Sequence, residues 1–101
     1  MNLKIDFSVA LKNLEGKPLK DKGKDLTLKD VSTNAVLGNY DEKIDGEEKL
    51  KRFLLATKIY ESNGELELTI DEVKMIKDLI AKGYSILVTG RALQILDPHK
   101  K

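Results

Sequence analysis

The chain of 101 residues has no cysteine and no tryptophan, two prolines and a single histidine. Without cysteine there are no disulfides, no thiolate catalysis and no cysteine-based zinc site. The lack also suits a reducing compartment. His99 sits between Pro98 and Lys100 in a short basic tail, so no Ser–His or Cys–His nucleophile pair has a convincing context. Aromatic residues make up 5%, too few to interleave with cations as a base-stacking surface. Neither charge sign dominates. Lys plus Arg number 18 and Asp plus Glu 17, and a net charge of +1 gives no broad attraction to nucleic acid or an anionic membrane. No apolar run approaches the roughly 20 residues that cross a bilayer. Residues 1–6 alternate in polarity and lack a signal-peptide core.

What is present is a well-patterned set of aliphatic residues. The hydrophobic fraction is 41% and the charged fraction 35%, which fits one folded domain rich in surface charge. Leu3, Ile5, Phe7, Val9 and Leu11 alternate with polar neighbours, so residues 3–11 read as a half-buried strand. Glu15-Gly16 is a turn signal. Pro18 cannot donate to a ladder, so a returning strand must be short and at an edge. Residues 20–24 read as a charged loop.

The phrase Leu26-Thr27-Leu28-Lys29-Asp30-Val31 returns as Leu68-Thr69-Ile70-Asp71-Glu72-Val73. Each copy is a helix start, with a Thr cap and an acid at the third helical position. The first helix is expected over 28–37, with Leu28, Val31, Ala35 and Leu37 on its core side and Gly38-Asn39 as its stop. A second begins after Asp45, with Glu48 completing a capping box. Its apolar stripe is Leu50, Phe53, Leu54, Thr57 and Ile59 or Tyr60, and Asn63-Gly64 closes it. Residues 65–68 alternate as a short strand. The third helix spans 70–82, with Ile70, Val73, Ile76, Leu79 and Ile80 inward. Ser85 caps a fourth helix to Leu96, although Val88-Thr89 also permits a strand over 86–89. The expected fold class is therefore α+β and mainly helical. A β-hairpin or arm (1–25) precedes three to four helices (26–97) and a flexible tail (98–101).

Several chemical motifs fail on their spacing. Aligning Gly46 to the glycine of a calcium loop puts Lys43 and Arg52 at ligand positions, where oxygen donors are required. Residues 16–24 have the glycines and lysines of a phosphate loop. However, Asp25 stands where Ser or Thr should follow Lys24. Glu47-Glu48 and Asp71-Glu72 fall in first helical turns, where negative charge suits the helix dipole. No catalytic residue, metal ligand or cofactor is expected.

Ile5-Asp6-Phe7, Leu14-Glu15-Gly16-Lys17-Pro18-Leu19, Leu26-Thr27-Leu28 and Asn34-Ala35-Val36-Leu37 follow one another in an order that resembles small bacteriophage and prophage proteins of about this length. The resemblance implies an origin of that kind and carries over no functional residue. The expected function is that of a non-enzymatic phage-type accessory protein. It would bind a phage or host protein, in particle assembly or by inhibiting a host factor, in the host cytoplasm or with the virion. Leu87, Arg91 and Gln94 on the fourth helix, and the hairpin edge, are the expected contact residues. A homo-oligomer is a further expectation, and membrane association is not expected. One alternative is a small nucleic-acid-binding regulator using Lys49, Lys51, Arg52 and Lys58. Another is an oligomer that sequesters a small ligand.

Overall fold

The computed structural model describes residues 2–40 and 43–97. The expected tail at 98–101 lies outside the described residues. The elements run β1 (Asn2–Asp6), β2 (Lys20–Asp21), β3 (Lys24–Asp25), α1 (Leu28–Leu37), α2 (Gly46–Glu61), β4 (Glu65–Thr69), α3 (Ile70–Gly83) and α4 (Ile86–Leu96). The fold is α+β and mainly helical, with an N-terminal antiparallel strand pair and a second small sheet.

The first strand finds its partner far along the chain. β1 pairs antiparallel with β4, with Leu3 opposite Leu68 and Ile5 opposite Leu66. The expected strand over 3–11 is cut short: the chain turns at residues 7–8, where Asp6 Oδ1 accepts from Ser8 N–H at 2.9 Å. Phe7 N–H donates to the Gly64 carbonyl at 3.0 Å. Leu11 N–H donates to Leu26 O, and Leu19 N–H to Leu11 O, each at 2.8 Å. Isolated bridges join Lys12 to Pro18 and Ala10 to Thr27. The return past Pro18 is therefore as short as the missing N–H demands. Of the expected strand face, Ile5, Phe7 and Leu11 are buried, whereas Val9 reaches the surface. The charged run at 20–24 is ordered as the β2–β3 hairpin. Its turn residues Lys22 and Gly23 both take positive φ, as a two-residue hairpin turn matched to strand twist requires.

The helix starts follow from local chemistry. Thr27 and Thr69 each accept from the backbone N–H three residues on, and Asp30 and Glu72 return the bond to the cap N–H. At α1 the remaining orphan donors also find carbonyls. Leu28 N–H reaches Val9 O and Lys29 N–H reaches Phe7 O, both at 2.9 Å. The N-terminal segment thus caps α1 as well as pairing with β4. Asp45 caps α2 by accepting from Glu48 N–H at 2.8 Å. Glu48 departs from the expected box, because its carboxylate takes Arg52 Nε at 3.2 Å. Ser85 caps α4, and residues 86–89 are helical.

One core holds the elements together. It comprises Ile5, Phe7 and Leu11 from the N-terminal segment, Leu28, Val31, Ala35 and Val36 from α1, and Leu55, Ala56 and Ile59 from α2. Leu68 adds from β4, Val73, Ile76, Leu79 and Ile80 from α3, and Ala92 and Leu96 from α4. α3 touches α1, α4, β1 and β4, while α2 packs chiefly on α1. This peripheral position corrects the expected stripe of α2. Leu50, Phe53, Leu54 and Tyr60 are 56–68% exposed, and of the expected stripe only Ile59 is buried, in company with Leu55 and Ala56. Ile70 and Leu37 are likewise exposed. Ile70 is the first residue of α3 and Leu37 the last of α1, so both project past the packed turns.

Tyr40 locks the ends of α1 and α3. Its hydroxyl donates to the Ala35 carbonyl at 2.6 Å. A Cβ on Gly38 would stand 2.5 Å from that hydroxyl oxygen, and one on Gly83 would stand 3.0 Å from it. The glycines are required by the approach of the ring. Gly38→Ala should therefore destabilise the protein by about 1 kcal/mol or more, by displacing Tyr40 from its hydrogen bond. In a Tyr40→Ala background the same change should cost nothing further, and a double-mutant cycle in urea measures the difference. Ser32 is fully buried, and its hydroxyl has no hydrogen-bond partner among the described residues. Ser32→Ala should raise stability by about 1 kcal/mol, read from the urea midpoint, because the buried hydroxyl leaves with its desolvation cost.

Candidate functional site: the outer face of the last helix

α4 divides into two faces. Ala92 and Leu96 enter the core, with Val88, Leu93 and Ile95 packed against it. At about 100° per residue, Ile86, Gly90 and Gln94 form a ridge on the opposite side, with Leu87 and Arg91 beside it. Ile86 is 93% exposed.

A loop from the other end of the chain completes this face. Asn13 Oδ1 accepts from Glu15 N–H at 2.9 Å and from Lys17 N–H at 3.1 Å, which tightens residues 13–17 into a turn. Leu14 stands at the tip, 86% exposed. Arg91 fixes that turn to α4. Its Nε donates to Lys12 O at 3.0 Å, its Nη2 to Asn13 O at 2.8 Å, and its Nη1 to Gln94 Oε1 at 3.3 Å. The planar guanidinium suits this task, since it presents several donors in fixed directions.

The result is a shallow groove of about 500 Å³ lined by Leu14, Ile86, Leu87, Gly90, Arg91 and Gln94. The three residues expected from the sequence, Leu87, Arg91 and Gln94, come together here. Arg91 spends its donors on the loop, so it shapes the groove. Sequence reasoning missed Leu14 and Ile86. Their signal was present: a large aliphatic residue at a polar turn tip, and another at the first position of a helix. Of the expected hairpin only Leu14, at its turn, lines this groove. Gly90 opens into the groove, and a Cβ there would meet nothing within 4 Å.

The four cations of the alternative reading do not form one patch. At about 100° per residue, Lys49 and Arg52 fall on one flank of α2 and Lys51 and Lys58 on the opposite one. The Arg52 side chain is 13% exposed and pairs with Glu48 at 3.2 Å, while Lys58 Nζ stands 3.6 Å from Glu72. A phosphate backbone would have to break these pairs to gain its contacts. Among the described residues no group of three or more His, Asp or Glu side chains gathers as a metal site. No helix of the described residues is long and apolar enough to cross a membrane.

No protein-family model matches the chain, and comparison with curated proteins and with solved structures finds no match either.

Arg91→Ala should detach the 12–17 turn at a cost of about 1 kcal/mol, a charge-assisted pair of bonds discounted for its exposure. Arg91→Lys should recover little, because an ammonium cannot reproduce the fork. Urea unfolding measures the cost. Faster amide exchange at Lys17, with α1 unchanged, would show that the effect is local.

Proposed function

We propose that this chain is a non-enzymatic accessory protein that works by binding another protein through the groove between α4 and the 13–17 turn. The phage-type setting, in particle assembly or in blocking a host factor, rests on the order of sequence phrases that resembles such proteins. The observation that carries the binding reading is the adjacency of Ile86 and Leu14. These two large aliphatic side chains are almost fully in solvent yet line one groove. Scattered single exposures are ordinary, but clustered ones beside a rigid framework are the material of an interface. Arg91 and Gln94 supply a polar rim whose geometry is already fixed, which lowers the ordering cost of docking. Leu87 extends the apolar floor. The partner is a phage or host protein, and a second copy of the chain is the other occupant to be tested.

The test compares the wild-type protein with a Leu14→Glu/Ile86→Glu variant as immobilised baits in quantitative pull-downs from infected cells. Sedimentation of the free proteins accompanies it. Both side chains lie in solvent, so the variant should unfold at the wild-type urea concentration. The expected outcome is a protein recovered by the wild type and reduced by about tenfold or more with the variant, equivalent to about 1.4 kcal/mol. Equal recovery of every protein by both baits would contradict the reading.

A further inference from the structure

The link between α2 and β4 holds the one asparagine that precedes a glycine. Asn2, Asn13, Asn34, Asn39 and Asn63 are followed by Leu3, Leu14, Ala35, Tyr40 and Gly64. An asparagine loses its side-chain amide when the backbone nitrogen of the next residue attacks Cγ. A side chain on that next residue crowds the attack, and a hydrogen-bonded N–H in a helix or strand withholds the nitrogen. Neither protection operates at Asn63. Helix α2 ends with Ser62 as its cap and β4 begins at Glu65, so Asn63 and Gly64 lie in neither element. Asn63 is exposed. Among the described residues, its side chain and its carbonyl make no hydrogen bond, and neither does Gly64 N–H.

Glycine is required at 64, because φ there is +119°, a conformation that L side chains rarely adopt. The fold therefore sets an unhindered nitrogen beside Asn63. Other sites of this kind are held. Asn13 Oδ1 accepts from Glu15 and Lys17 N–H, and Asn34 lies within α1. Asp45-Gly46 is the comparable aspartate pair, but Asp45 Oδ1 is engaged by Glu48 N–H at 2.8 Å as the cap of α2.

The surroundings give the reaction a structural consequence. Gly64 O accepts from Phe7 N–H at 3.0 Å, just beyond the end of the β1–β4 ladder. Asp6 and Glu65 stand directly opposite each other at that end, and a Cβ on Gly64 would lie 3.9 Å from Asp6 Oδ1. Two acids already share this corner, and like charges across a strand pair destabilise it.

We propose that Asn63 is a modification site at which the folded protein converts to aspartate and isoaspartate, and that the conversion loosens the junction of the N-terminal segment with β4. Gly64 N gives up its proton and bonds to Asn63 Cγ. The side-chain nitrogen leaves as ammonia, carrying that proton, and a succinimide ring remains. Water then opens the ring. Cleavage between Gly64 N and Cγ gives aspartate. Cleavage between Gly64 N and the backbone carbonyl carbon of residue 63 gives isoaspartate, whose main chain runs through Cγ and is one carbon longer. Both products add a carboxylate next to the Asp6–Glu65 corner, and isoaspartate also shifts Gly64 O away from Phe7.

The experiment incubates the full chain above neutral pH and follows every asparagine by peptide mapping and mass spectrometry. In the folded protein the Asn63 peptide should turn acidic and split into two products, with the other four asparagines intact. The rate should not change in urea below the unfolding transition, because the reacting peptide is free in the folded chain. Asn63→Gln keeps an exposed amide but needs a larger ring, so it should lose the reaction with its urea midpoint unmoved. The converted protein, separated by anion exchange, should unfold at lower urea, and its Phe7 N–H should exchange at least about tenfold faster. Three results would overturn the proposal. One is an Asn63 amide that survives in the folded protein while the urea-unfolded chain converts. A second is a conversion rate that tracks the unfolded fraction. A third is a converted protein with unchanged Phe7 exchange.

Discussion

The structure depends on the backbone hydrogen bonds of residues 2–11. Asn2 to Asp6 pair with Glu65 to Thr69, and the carbonyls of Phe7 and Val9 then take the first two N–H groups of α1. Leu11 joins Leu19 and Leu26. One N-terminal segment, a strand and the turn after it, therefore satisfies β4, the start of α1 and the loop before it. An isolated two-stranded pair is marginal in water. This one persists because Ile5, Phe7 and Leu11 are buried against the helices along its length.

That closure places the helices. Thr69 is the last residue of β4 and also the cap of α3, so the strand ladder sets where α3 begins. α3 then lies against α1, α4 and both strands. α1 is held at its start by the N-terminal carbonyls and at its end by Tyr40, whose ring also presses on Gly83 of α3. α2 packs chiefly on α1 and meets α3 near the start of α3, through Lys58 and Glu72, and α4 packs on α3 and the N-terminal segment. Each keeps an apolar face in solvent for that reason. The two faces differ in character: that of α4 is apolar with a fixed polar rim, and that of α2 is apolar with charges of both signs along its borders.

Much of the local structure was legible in the sequence. The starts at Thr27, Asp45, Thr69 and Ser85 follow from side chains that bond backbone groups three residues away, and such contacts need no tertiary information. The alternation of residues 3–11 marked the strand over its first part, where β1 ends at Asp6, and not the turn at residues 7–8 that follows. The partner of β1 was not legible, because a period of two says that one face is buried and nothing about which distant strand covers the edge. α2 shows a second limit. It has apolar residues at 50, 53, 54 and 60 and again at 55, 56 and 59. Spacing alone cannot choose between these sets, because the choice depends on how many elements surround the helix. Leu87, Arg91 and Gln94 could be singled out because α4 is too apolar for one buried face. Leu14 could not, because only the folded chain brings the turn to α4.

Amide hydrogen exchange under native conditions tests the central role of the N-terminal segment most directly. The N–H groups of Phe7, Leu11, Leu28 and Lys29 donate to carbonyls that join this segment to the rest of the fold. They should exchange only through global unfolding, with the same free energy and denaturant dependence as the core amides of Ile76 and Ile80 in α3. Exchange of those four amides through a low-energy local opening, while α1 and α3 stay protected, would show that the helices hold together without the segment and would contradict the account.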